Sequence, residues 1–199
     1  MSTTLAERTA RKYHGKFAAD YFAKRRTQIR WAIENEAVET LLTGMAPGST
    51  VLDVPVGEGR FLKLYKKLGL QATGIDISED MLALAKQKRS ATILRIGDAS
   101  SLSFEDRSFD TVVCVRFLDL LDEKAMRAVM HEICRVARST IVLTIRLGDK
   151  YVLKSNTATH DTLLWRALIR RQGWQLANEL PVFKQGWHVI KLQIAAVKE

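Results

Sequence analysis

A short apolar strand that ends in an aspartate and runs into a glycine-bearing turn is the feature that most constrains this fold. It reads Val51-Leu52-Asp53-Val54-Pro55-Val56-Gly57-Glu58-Gly59-Arg60, and a helical pattern follows it. Such a turn brings backbone N–H groups and a helix N-terminus to the carboxyl end of a strand, which is how parallel α/β sheets build cofactor pockets. Two glycines spaced G-x-G are a weak signal alone, so the rest of the chain decides the interpretation.

Strand and helix patterns alternate downstream of this turn. Apolar runs predict strands near residues 50–54, 72–76, 92–96, 110–115 and 140–145, and helical patterns lie near 58–69, 79–88, 123–137 and 161–172. Two further strands, near 174–182 and 187–197, are too close together for a helix between them, so they should form an antiparallel hairpin. The predicted fold is a doubly wound, mostly parallel seven-stranded α/β sheet with a C-terminal antiparallel hairpin and helices on both faces, an α-β-α sandwich.

The chain is expected to form a single globular domain, because 199 residues with 47% hydrophobic content suit one sizeable core. Within it, residues 1–46 are expected to form an N-terminal helical segment, and residues 47–199 the cofactor-binding domain. The aromatic stripe of the helical segment either covers the substrate as a lid or packs against the sheet as part of the core. The helical pattern runs from about Tyr13 to Leu42 and ends before Gly44 and Pro47-Gly48. Its apolar positions include Phe17 and Tyr21, then Ile29, Ile33, Ala37 and Leu41 at four-residue steps.

The composition of the chain limits its possible cellular location and its possible binding partners. No run approaches the roughly 18 apolar residues of a membrane span, and the N-terminus lacks the apolar core of a secretory signal, so we expect a cytoplasmic protein. Cys114 and Cys134 have apolar neighbours, as reduced core thiols do, and no His/Cys/carboxylate cluster indicates a metal. The net charge is +9, and residues 1–30 hold eight basic and two acidic side chains. This segment is either a solubilising surface or a contact for RNA, phosphorylated sugars or an anionic membrane surface.

Acidic residues also end the next two predicted strands. Asp76 lies 23 residues beyond Asp53, close to the offset of about 20 residues at which a carboxylate binds ribose hydroxyls. The alternative is that Asp76 caps the following helix, with Ser78 and Glu79 sharing that role. Asp98 ends the third strand beside the small Ala99, where its carboxylate could accept from an exocyclic amine. A nicotinamide cofactor would require a third glycine where Leu62 stands, which disfavours a dehydrogenase.

The succession VLDVPVGEG, GIDISEDMLALA, GDASSLSF and SFDTVVCV resembles the class I S-adenosylmethionine-dependent methyltransferases over residues 50–145. The resemblance implies S-adenosyl-L-methionine as methyl donor and S-adenosyl-L-homocysteine as product. It assigns the methionine portion of the cofactor to Asp53 and the turn, the ribose to Asp76, and the adenine to the ends of the second and third strands. The implied cofactor-binding residues are Asp53, Pro55, Gly57, Gly59, Asp76, Ile77, Met81, Asp98, Ala99, Val115 and Arg116.

Pro55 is a departure from the family pattern D-x-G-x-G-x-G, because it occupies the first glycine position. Proline has a fixed φ and no N–H, so a backbone donation to the cofactor is lost there. Gly57 and Gly59 remain, and we expect binding to survive. The departure also leaves open the alternative that the chain is a non-catalytic domain that binds a cofactor or a partner.

The methyl acceptor is less constrained than the donor. We expect a small or medium-sized anionic acceptor, such as a metabolite, a phosphosugar or a lipid-linked glycan, with RNA as the alternative. A general base is needed only when the acceptor atom carries a proton. The candidate catalytic residues are Tyr13, His14, Tyr21, Arg116 and His160. The acceptor atom and the oligomeric state stay open.

Two of these positions have competing interpretations. Arg116, at the mouth of the predicted pocket, either holds a carboxylate or phosphate or pairs with a nearby acid, namely Asp119, Asp122 or Glu123. His160 closes the segment 146–160, which would be a second wall of the substrate site.

Overall fold

The computed structural model describes residues 28–88, 92–154, 157–183 and 187–194. Five helices lie within these ranges: α1 (Ile29–Leu42), α2 (Leu62–Lys67), α3 (Glu79–Lys86), α4 (Glu123–Val136) and α5 (Thr162–Arg171). The first five strands are β1 (Thr50–Asp53), β2 (Gln71–Asp76), β3 (Ile93–Ile96), β4 (Phe109–Cys114) and β5 (Ala137–Gly148). The remaining strands are β6 (Val152–Lys154), β7 (Thr157–Asp161), β8 (Trp174–Phe183) and β9 (Trp187–Ile194).

Seven of the strands form the predicted mixed sheet, in the order β3-β2-β1-β4-β5-β9-β8. The strands from β3 to β5 are parallel, whereas β9 runs antiparallel to both β5 and β8. The α/β fold class and its C-terminal hairpin are therefore confirmed. Register places Asp53 beside Gly74 and Asp76 beside Ile96, so the carboxyl ends of β1, β2 and β3 lie along one edge.

An additional hairpin, β6–β7, lies within the segment 146–160. The sequence analysis predicted only that this segment lines the substrate site. β5 is longer than predicted, and its last residues pair with β7 at Leu147↔His160 and Gly148↔Asp161. A three-residue strand such as β6 carries too little periodicity to be recognised in a sequence. The segment 146–160 is thus largely an extension of the sheet.

Two hydrophobic clusters pack on opposite faces of the sheet. Alternate residues of a strand point to opposite faces, so Val112 and Cys114 belong to one cluster and Val113 to the other. Helices α4 and α5 cover the first face, and α1, α2 and α3 cover the second. This alternation confirms helices on both faces and makes Cys114 and Cys134 buried core thiols.

Helix α1 differs from its predicted face. It ends at Leu42 as expected, but Ile29 and Ile33 are exposed by 78% and 37%. The buried face instead includes Glu34, Ala37 and Val38. The predicted stripe is wrong in its first half because a charged residue, Glu34, pairs with arginines of the loops that follow β1 and β4, and this turns that side of the helix inward. The earlier part of the predicted helix lies outside the described residues.

Candidate active site

In the turn after β1, Gly57 and Gly59 keep the left-handed backbone conformations that glycine favours, although Pro55 precedes them. The Val54–Pro55 peptide bond is cis, and the next N–H groups are used within the fold: Val56 N donates to Ile75 O at 2.8 Å, and Gly57 N to Asp76 Oδ2 at 2.8 Å. Gly57 and Gly59 have φ values of 55° and 78°, which L side chains rarely adopt. These two conformations also explain why α2 begins only at Leu62, later than predicted.

Asp53 is a buried carboxyl group at the end of β1. Burial raises its pKa to about 7, an effect opposed by the neighbouring Tyr65 hydroxyl. That hydroxyl faces the carboxyl without forming a regular hydrogen bond, and Asp53 Oδ2 has no hydrogen-bond partner among the described residues. A buried carboxylate oxygen without a partner is costly, so a cationic or hydrogen-bonding ligand group would stabilise it.

Asp76 is also buried, but its carboxylate is held by backbone. Oδ1 accepts from Ser78 N at 2.9 Å, and Oδ2 accepts from Gly57 N. Burial raises the pKa of Asp76, and these N–H groups oppose the rise. The N-cap of α3 is Ser78, whose hydroxyl accepts from Met81 N at 3.3 Å. The alternative role of Asp76 as the helix cap is therefore wrong.

The predicted adenine-side residues Ile77, Asp98 and Ala99 follow the ends of β2 and β3, and Met81 lies in the first turn of α3. Asp98 Oδ1 accepts from both the backbone N and the hydroxyl of Ser100, each at 2.8 Å, which orients the carboxylate. Met81 and Ala99 are buried, and Ile77 is half-buried. Because β2 and β3 are parallel and in register, these groups share the edge that carries Asp53 and Asp76.

Arg116 follows β4 in a strained, left-handed conformation with φ of 61°. Its N–H donates to Thr144 Oγ1 at 2.6 Å, which fixes the Val115–Arg116 backbone to β5. Its guanidinium lies 4.4 Å from the ring centroid of Trp187 and 3.5 Å from Glu34.

The alternative that Arg116 pairs with Asp119, Asp122 or Glu123 is wrong, because the carboxylate within ion-pair distance of Arg116 among the described residues is that of Glu34. Nearby Asp122 caps α4, and Glu123 pairs with Arg127, so both are engaged locally. The carboxylate that Arg116 meets belongs to Glu34 of α1, far away in the sequence.

Glu34 is a residue that sequence reasoning missed. It is buried, and its two oxygens face different arginines, Arg60 at 3.0 Å and Arg116 at 3.5 Å. Arg60 also donates to Asn35 Oδ1 at 2.7 Å. Glu34 thereby ties α1 both to the glycine turn and to the loop after β4. The available signal was a glutamate beside the apolar positions of a helix, which is too common to be informative.

Of the remaining catalytic candidates, only His160 lies within the described residues. His160 is buried, and its Nε2 lies 2.9 Å from the carbonyl oxygen of Leu118. Burial lowers its pKa, so it is neutral near pH 7 and engaged by the backbone. Tyr13, His14 and Tyr21 lie outside the described residues, so their catalytic roles stay predictions. No group of three His, Cys, Asp or Glu side chains in the described ranges could hold a metal.

Alanine substitutions at the two glycines are expected to have different effects. A Cβ at Gly59 would lie 2.6 Å from Leu62 Cδ1, whereas one at Gly57 would meet no described atom within 4 Å. We expect Gly59→Ala to cost about 2 kcal/mol or more in unfolding free energy, through overlap and backbone strain. Gly57→Ala should cost about 1 kcal/mol, through strain alone. Urea denaturation measures both, and equal losses would contradict the packing described here.

Comparisons with known proteins agree with this geometry. The family described as methyltransferase domain matches residues 51–140. Phosphatidylethanolamine N-methyltransferase of Cereibacter sphaeroides is 32% identical over 162 residues, covering 71% of this chain and 79% of the relative. Malonyl-(acyl-carrier protein) O-methyltransferase of Erwinia pyrifoliae is 35% identical over 168 residues, and the match spans 82% of this chain but only 60% of that relative.

A solved structure shows the same fold over nearly the whole chain. Magnesium protoporphyrin IX methyltransferase from Synechocystis PCC 6803, with bound S-adenosylmethionine, superimposes with a TM-score of 0.77 at 16% identity. The match covers 98% of this chain and 99% of that one.

The glycine turn, the aspartates at the strand ends and these relatives define the class: this chain belongs to the class I S-adenosylmethionine-dependent methyltransferases. It is an enzyme, and its cofactor is S-adenosylmethionine. The site fits this group, because Asp53 offers a buried acceptor oxygen and the space beside Gly57 is open. None of the helices in the described ranges is long and apolar enough to cross a membrane.

Proposed function

We propose that this protein is a cytoplasmic enzyme that methylates a small or medium-sized anionic acceptor: a metabolite, a phosphosugar or a lipid-linked glycan. The observation that carries the proposal is the position of the Arg116 side chain. Its guanidinium is held against Trp187, beside the strand ends that carry the cofactor motif. A partly buried guanidinium at this position is suited to bidentate binding of a carboxylate or phosphate.

The cofactor residues are proposed as the resemblance implies. Asp53 and the turn with Pro55, Gly57 and Gly59 hold the methionine portion, and Asp76 binds the ribose hydroxyls. Although Asp76 already accepts two backbone hydrogen bonds, each carboxylate oxygen has a second lone pair for a hydroxyl. Adenine is bound by Ile77, Met81, Asp98 and Ala99, and the Val115–Arg116 backbone closes the methionine end.

The bound cofactor supplies an activated methyl group on a sulfonium. The task left to the protein is to align an acceptor lone pair with the carbon–sulfur bond and to exclude water, and positioning of this kind can supply much of the rate. Arg116 would orient the acceptor through its anionic group. Because the backbone of Arg116 is already fixed, less conformational entropy is lost when the acceptor binds.

The names of two relatives support an anionic acceptor. Phosphatidylethanolamine contains a phosphate, and a malonyl group contains a carboxylate. The basic charge of the whole chain is consistent with either acceptor.

An assay with labelled methyl donor tests the proposal. Cell extract is separated into small molecules, lipids with glycans, RNA and protein, and each fraction is incubated with the enzyme. We expect label in the small-molecule or lipid-and-glycan fraction. Labelling confined to protein would contradict the proposed acceptor class.

RNA is the alternative acceptor, favoured by the basic charge of residues 1–30, most of which lie outside the described ranges. Binding to phosphates along a strand releases counterions, so RNA affinity should fall steeply with salt. Methylated RNA together with such a salt dependence would replace the small acceptor by RNA. Absence of RNA binding at low salt would remove the alternative.

A further inference from the structure

Three guanidinium groups surround one indole at the edge of the sheet. Arg116 lies 4.4 Å from the Trp187 ring centroid, and Arg30 and Arg146 each lie 5.9 Å from it. We call these four residues the Trp187 site. They come from α1, from the loop after β4, and from the paired strands β5 and β9, where Arg146 is in register with Trp187. Like charges collected on one ring indicate a place for an anion.

Strand alternation places the Trp187 site on the α1 face of the sheet. Val142 of β5 and Val189 of β9 belong to the hydrophobic cluster that α1 covers. Arg146 lies two positions beyond Thr144, and Trp187 two positions before Val189, so their side chains point to this same face. Thr144 accepts the Arg116 N–H. The site therefore lies between α1 and the carboxyl ends of β4 and β5.

Within the Trp187 site, the charges of Arg116 and Arg146 are incompletely balanced by the described residues. Glu34 is the carboxylate that meets Arg116, and it is shared with Arg60, which it approaches more closely, at 3.0 Å against 3.5 Å. Arg146 makes no ion pair with any described residue, and its Nε is buried without a hydrogen-bond partner. A buried guanidinium N–H without an acceptor is costly, and an oxyanion would remove that cost.

We propose that Arg116 and Arg146 bind an oxyanion group of the methyl acceptor, a phosphate or a carboxylate, beside Trp187. In the absence of the acceptor, Glu34 acts as a resident counter-ion to Arg116, and the oxyanion competes with it. This inference rests on the proposed function, since it names the site that recognises the acceptor. The side chain of Arg116 is 15% exposed and Trp187 is 7% exposed, which suits one enclosed anionic group better than an extended polymer.

Calorimetry with anionic probes tests the Trp187 site. The enzyme is first saturated with S-adenosylhomocysteine and then titrated with pyrophosphate and, separately, with benzoate. We expect the wild type to bind at least one probe, and the stronger probe identifies phosphate or carboxylate as the preferred group. Arg146→Gln should weaken that binding by about tenfold or more, because it removes charge-assisted hydrogen bonds. Arg146→Lys, which retains the charge without the planar fork, should give an intermediate loss.

Two further variants sharpen the test. Glu34→Gln should bind the probe several times more tightly, because the competing carboxylate is gone. Arg166→Gln is the matched control, since Arg166 pairs with Glu179 at 3.0 Å, outside the Trp187 site. It should bind the probe like the wild type.

The result that overturns the inference is probe binding in Arg146→Gln equal to that of the wild type, or no binding of either probe by the wild type. Weaker probe binding in Glu34→Gln would contradict the proposed competition between Glu34 and the oxyanion. An Arg146-dependent affinity for an RNA oligomer without affinity for the small probes would assign the site to RNA instead. Affinity for S-adenosylhomocysteine is measured separately in every variant. Its absence in the wild type would refute the proposed function, whereas its retention with no probe binding refutes the Trp187 site alone.

Discussion

Asp76→Ala is expected to weaken binding of S-adenosylhomocysteine about 100-fold or more. The proposed ribose contacts are hydrogen bonds to an ionised group, each worth roughly 1.5–3 kcal/mol, and alanine removes them together. The substitution also removes the acceptor for Gly57 N, so the glycine turn loses part of its support. Titration calorimetry measures the affinity, and a cooperative thermal transition shows that the variant is folded.

Asp110→Ala provides the matched control for Asp76. Asp110 lies near the amino end of β4, accepts from the backbone N and hydroxyl of Thr50 at 2.9 Å each, and pairs with Arg138 at 2.6 Å. These contacts hold the opposite edge of the sheet. The control should lower stability but leave cofactor affinity unchanged. Equal affinity in Asp76→Ala and the wild type would contradict the pocket assignment.

Cofactor affinity is expected to rise as the pH is raised through 7, because Asp53 must lose a proton to meet a cationic group. Burial raises the pKa of Asp53 to about 7, so below that pH the carboxyl is mostly neutral in the ligand-free enzyme. Binding that requires the carboxylate then changes by nearly tenfold per pH unit on the acid side and levels off above pH 7. Affinities measured between about pH 5.5 and 7.5 test this dependence.

The variant Asp53→Asn tests whether Asp53, and not another titrating group, causes the pH dependence of cofactor affinity. It should bind more weakly at the upper end of this range and show no comparable pH dependence. The same raised pKa means that the ligand-free fold holds this proton more tightly than the unfolded chain, so ionisation costs stability as the pH rises from about 4 to 7. The asparagine variant should therefore be more stable than the wild type at pH 8. An unaltered pH profile in this variant would assign the dependence elsewhere.

Local patterns were sufficient to predict that the strand ends carrying Asp53 and Asp76 lie at one edge of the sheet. Asp53 and Asp76 each end an apolar run, and parallel strands with crossover helices bring such ends to one edge. The hairpin β8–β9 followed from the short spacing between two apolar runs. The helix cap at Ser78 was less certain, because Asp76 and Ser78 are both good caps and only the hydrogen bonds distinguish them.

The proposed acceptor site depends on contacts between residues that are distant in the sequence. The pairing of Arg146 with Trp187 is a matter of register between β5 and β9, and a shift of β9 by one residue would turn Trp187 to the opposite face of the sheet. The partner of Arg116 was misassigned because acids close in sequence are engaged at the start of α4, while Glu34 arrives from α1. The hairpin β6–β7 was missed since short strands depend on pairing with β5 more than on their own pattern.

By itself, the sequence determined the class of fold and the alternation of strands and helices. These follow from periodicities of two and 3.6 residues and from turn residues, all of which are local. The methyl donor was indicated by the resemblance of the strand ends and turns to a known family. Only the tertiary structure decided which charges meet. It left Asp53 with a buried oxygen that has no hydrogen-bond partner among the described residues, shared Glu34 between two arginines, and placed three guanidinium groups near Trp187. The physical reason is that burial and pairing of charge depend on the packing of α1 against the sheet, which no single segment encodes.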